Sequence, residues 1–62
     1  MPLTGKEMFR LAIKSGWREV RVNGSHHIMM KEGYEPVSIP VHSNKDLKNG
    51  MEQKLLRGLG LK

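Results

Sequence analysis

The apolar positions at the start of the chain follow a helical rhythm. Met8, Leu11, Ala12 and Ser15 fit the i, i+3, i+4, i+7 spacing, and Phe9 and Ile13 widen the stripe. Lys6, Arg10 and Lys14 recur every four residues on another face. Thr4-Gly5-Lys6-Glu7 fits a capping box, in which a Thr hydroxyl and a Glu carboxylate exchange hydrogen bonds with each other's backbone N–H groups. Gly16 supplies a left-handed stop. The pattern predicts a first helix over about residues 4–15.

The rhythm then changes to alternation. Trp17 to Val22 is rich in strand formers, and Asn23-Gly24 is a strong hairpin signal. His26 to Lys31 reads as the returning strand. Residues 32–36, with a central Gly33, form the next turn. Val37 to Val41 is a third strand, and its Pro40 argues for an edge position. Residues 42–48 are polar loop. Asn49-Gly50-Met51-Glu52 resembles a second capping box, followed by a helix over about 50–58 with Met51, Leu55, Leu56 and Leu59 as its apolar stripe.

The order α-β-β-β-α predicts a single α+β domain over residues 1–62: a three-stranded antiparallel meander with both helices on one face and the other face open. Alternation in the second strand separates His26, Ile28 and Met30 from His27, Met29 and Lys31. Ile28 is the better core anchor of the two sets. The expectation is therefore His27 on the open face, and His26 turned inward or toward the sheet edge.

Charge narrows the function classes. Eleven Lys and Arg against six Asp and Glu give a net charge of +5 and a pI near 10. Such an excess favours a polyanionic partner, most simply nucleic acid, with an acidic protein or an anionic membrane as competitors. There are no cysteines, which excludes disulfides and thiolate metal sites. No apolar run approaches the roughly 18 residues of a membrane span, and the first residues lack the apolar core of a secretion signal. A cytoplasmic protein with no membrane partner is the expectation.

The pair His26-His27 is the clearest candidate for chemistry, because imidazole moves protons near neutral pH. A metal site built from His26, His27 and His42 is disfavoured: adjacent strand residues point to opposite faces, and no carboxylate stands at ligand spacing. No metal or cofactor is expected.

Several segments together resemble the HicA family of toxins. They are Lys6-Glu7, Gly16-Trp17, Arg21, Gly24-Ser25-His26-His27, Ile39-Pro40-Val41-His42, Asn44-Lys45-Asp46-Leu47-Lys48 and Leu59-Gly60-Leu61, in this order and over nearly the whole chain. The resemblance implies a double-stranded-RNA-binding-like fold, ribosome-independent mRNA interferase activity and neutralisation by a HicB antitoxin. It places the family's key histidine, the last residue of Gly-Ser-X-His, on His27. The chain departs from the family at Asn49, where Pro is common, and at Met29-Met30, where aromatic or basic residues are common.

RNA carries its own nucleophile, the 2′-OH. A metal-free ribonuclease needs a base for that proton, an acid for the departing 5′-oxygen, and positive charge near the phosphate. His27 is the candidate for base or acid, with products ending in 2′,3′-cyclic phosphate and 5′-hydroxyl. His26, His42 and Ser25 are accessory candidates. Arg21, Lys31 and Lys45, with the backbone of Gly24, are candidates for binding RNA. A non-catalytic RNA-binding module of the same fold, and an adaptor for an acidic protein, are the competing readings. Trp17 reads as packing between helix and sheet in preference to base stacking.

Overall fold

The computed structural model describes residues 3–42 and 46–62, with Asn49 described by its backbone alone. The elements run α1 (Gly5–Lys14), β1 (Arg18–Asn23), β2 (His26–Met30), β3 (Val37–Pro40) and α2 (Asn49–Gly58). This is the expected α-β-β-β-α order, consistent with a double-stranded-RNA-binding-like domain. The sheet is antiparallel in the order β1-β2-β3, so Pro40 lies on an edge strand.

Thr4 caps α1 as its sequence requires. Its side chain accepts from the Glu7 N–H at 3.1 Å, and the Glu7 carboxylate accepts from the Thr4 N–H at 2.9 Å. The second capping box is not formed. The N-cap of α2 is Lys48, without a side-chain cap, and the helix starts one residue earlier than the pattern placed it. Glu52 instead accepts from the Leu3 N–H at 2.7 Å, tying the start of the chain to α2. Leu47 N–H donates to the Leu3 carbonyl at 2.7 Å beside this tie. A tertiary partner for Glu52 thus replaces the local one.

The core lies between the helices and one sheet face. Met8 and Ala12 of α1, Leu55 of α2 and Leu59 just after it close on Met29, Val37 and Ile39, with Trp17 and Leu47 at the margins. Trp17 is buried, and its indole N–H donates to the Leu59 carbonyl at 3.2 Å, so it ties the turn after α1 to the end of α2.

The face assignment of β2 is the reverse of the expected one. Met29 is fully buried and pairs with buried Val37, while His27 pairs with buried Ile39. His27 and Met29 therefore share the helix-side face. His26, Ile28 and Met30 occupy the open face, where Ile28 pairs with exposed Ser38. Volume and flexibility explain the choice. An unbranched Met fills an irregular space between two helices and a sheet as well as a β-branched Ile does. The parity of β2 then follows Val37 and Ile39, the inward pair of β3.

Candidate functional site

All six residues of β1 are exposed, because the helix layer covers β2 and β3 but stops short of this edge. The helix-side face of the β1–β2 hairpin is consequently a shelf beside the core. His27 stands on that shelf, with a quarter of its side chain exposed. Phe9 of α1 meets the imidazole edge-on, with ring centroids 5.3 Å apart. Glu19 of β1 holds the other side of the ring through a hydrogen bond between its carboxylate and Nδ1.

Glu19 reaches His27 because the ladder is irregular. The pairs Asn23–His26, Val22–His27 and Arg21–Ile28 are in step, but the next are Glu19–Met29 and Arg18–Met30. Val20 is an extra residue without a partner, as in a β-bulge. In an uninterrupted ladder Val20 would oppose Met29, and Glu19 would face the other side of the sheet with Met30. Alternation alone therefore separates Glu19 from His27, which is why Glu19 does not stand out in the sequence, and Phe9 reads there only as part of the apolar stripe of the first helix.

The remaining candidates divide into groups. Gly24 and Ser25 form the hairpin turn, one place later than the Asn23-Gly24 signal centred it, with Gly24 at φ +64°. The Ser25 carbonyl accepts from the Val41 N–H at 2.8 Å, which brings the end of β3 to the turn. Ser25 Oγ and His42 Nε2 are 3.5 Å apart, and the His42 and His26 rings meet edge-on with centroids 6.5 Å apart. Ser38 Oγ lies 3.4 Å from His26 Nδ1. Ser25, His26 and His42 thus form one cluster, beside a groove of about 410 Å³ between β3 and the start of α2. His26 and His27 point to opposite sides of the sheet.

Arg21 pairs with Ile28 and lies on the face opposite His27. Lys31 donates to the Ser15 carbonyl at 2.8 Å and sits 5.2 Å from the Tyr34 ring centroid, so it closes the C-terminal end of α1. Lys45 falls outside the described residues. The cation that helical geometry puts closest to Phe9 is Lys6, one turn earlier, and it is exposed. Among the described residues there is no group of three or more His, Asp or Glu arranged to hold a metal, and no helix is long and apolar enough to cross a membrane.

The motif Gly24-Ser25-His26-His27 therefore places its last histidine on a half-exposed shelf, oriented by an aromatic edge and a carboxylate. A family profile described as the HicA toxin of bacterial toxin–antitoxin systems matches residues 5–61. No individual curated protein matches the chain. The match runs through every element of the fold, from the first residue of α1 to the segment after α2, and the chain belongs to the HicA toxin family.

Proposed function

We propose that this toxin is a metal-independent endoribonuclease that cleaves mRNA in the cytoplasm through His27, and that a HicB-type antitoxin neutralises it. The observation that carries the reading is the setting of His27. It is accessible to a substrate, held on two sides, and at the family's histidine position. Transfer of the 2′-OH proton and attack of the 2′-oxygen on phosphorus yield a 2′,3′-cyclic phosphate and a free 5′-hydroxyl. Exposed Lys6 and Arg10 supply positive charge on the neighbouring helix. One proton-transfer group contributes about 10²–10⁴-fold, so turnover is slow.

The same shelf suits a regulatory partner. Val22, which pairs with His27, is 52% exposed, and Ile13, one turn after Phe9, is 46% exposed. An antitoxin seated there buries these apolar groups and shields the imidazole.

Purified wild type and His27→Ala, incubated with mRNA in EDTA, test the activity. Cleavage by wild type leaving 5′-hydroxyl ends, and its loss in His27→Ala, are the expected results. The basic helix surface also fits a module that binds RNA without cutting it. Equal RNA binding by both proteins without cleavage would establish that reading instead.

A further inference from the structure

We propose that Glu19 is a positioning residue for His27, delivered by the irregularity at Val20, and that it makes Nε2 of His27 the general base. The inference rests on the reading of His27 as the proton-transfer group.

Three observations carry it. First, the ring nitrogen facing Glu19 is Nδ1. An ionised carboxylate only accepts hydrogen bonds, so a neutral imidazole must place its proton on Nδ1. That leaves a lone pair on Nε2, the nitrogen turned away from Glu19. Second, Phe9 packs edge-on to the same ring and restricts its rotation. Third, Glu19 lies on the helix-side face because Val20 is left out of the ladder, so that Glu19 and not Val20 stands opposite Met29. An inserted residue costs a strand regular pairing, and such insertions serve to re-aim side chains beside active sites. Here the re-aimed side chain is the carboxylate.

The chemical step balances without a co-reactant. The 2′-O–H proton passes to Nε2 as the 2′-oxygen bonds to phosphorus. The bond from phosphorus to the 5′-oxygen breaks, solvent protonates the departing 5′-oxygen, and solvent takes the proton from the imidazolium. The Glu19 carboxylate stabilises the imidazolium at Nδ1 and is not itself protonated. Removing it leaves neutral His27 free to adopt the Nε2–H form, in which the outward nitrogen has no lone pair to offer.

The ring ¹⁵N signals of His27, assigned by difference from His27→Ala, report the tautomer without reference to activity. Wild type should show a protonated Nδ1 and an unprotonated Nε2 in the neutral ring. Glu19→Ala should shift both signals toward the opposite form. Its kcat should fall by about 10²-fold with KM unchanged, and Glu19→Asp should recover part of the loss. An unprotonated Nδ1 in wild type, or identical ring signals in wild type and Glu19→Ala, overturns the assignment of Glu19. A His27→Ala protein that cleaves as wild type overturns the ribonuclease reading itself, and the base role falls with it.

Discussion

Gly5 is the residue whose identity is most tightly fixed by its surroundings. A Cβ there would stand 1.9 Å from the carbonyl oxygen of Pro40, so only glycine lets the start of α1 rest on the end of β3. Gly5→Ala should lower stability by about 1–3 kcal/mol, the usual cost of overpacking, measured as a fall in the urea midpoint at constant slope. Gly24 is a different case: nothing lies within 4 Å of its would-be Cβ, and only its positive φ favours glycine. The two neighbours in β2 make a second residue-scale test. Met29 is fully buried and Ile28 is not. Met29→Ala should cost about 2–5 kcal/mol, against about 1 kcal/mol or less for Ile28→Ala. The reverse ranking would return His27 to the open face and separate it from Phe9.

At the scale of elements, the helix starts are held in unlike ways. The cap of α1 is local: Thr4 and Glu7 satisfy each other's N–H groups within one turn. Thr4→Ala should therefore cost about 1 kcal/mol in a denaturant titration without disturbing the hairpin. At α2 the glutamate of the expected box bonds to Leu3, 49 residues away in sequence. The strands show the same contrast. Pro40 marks β3 as an edge from composition alone, because it has no N–H to donate to a further strand. The inserted Val20 of β1 has no such mark: Arg18 to Asn23 alternates like a regular strand. Yet the skipping of Val20 in the pairing decides which side of the sheet Glu19 occupies.

At the scale of the molecule, a narrow helix layer over a wider sheet produces two histidine environments. His27 stands on the uncovered shelf of the helix side, and His26 joins His42 and Ser25 across the sheet. Basic residues are divided likewise, with Lys6, Arg10 and Lys14 on α1 and Arg18 and Arg21 on β1, where Arg18 and Arg21 pair with open-face residues of β2. If RNA lies on the His27 side, its affinity should fall steeply with salt, and Lys6→Ala and Arg10→Ala should each reduce the slope of log K against log salt by about one. Arg18→Ala and Arg21→Ala should leave that slope unchanged. A slope that responds to the β1 arginines and not to α1 would put RNA on the open face.

The number, type and order of elements were legible in the chain because they rest on local physics: helical and alternating periodicity, the Thr4–Glu7 box, the turn glycines and Pro40. The histidine of interest was legible through the Gly-Ser-His-His motif within a longer set of segments. What lay beyond local reach was every choice that depends on which face meets the core. Met29 rather than Ile28 turns inward because it must follow Val37 and Ile39 of the neighbouring strand. His27 gains Phe9 because α1 crosses above that face, and gains Glu19 because Val20 is left out of the β1–β2 ladder. A period-two pattern carries no record of its own phase, so a single insertion or a tie between two apolar neighbours is resolved only when the layers pack. Local periodicity and motif fix the elements and the histidine, whereas the packed sheet sets which side that histidine faces and which carboxylate holds it.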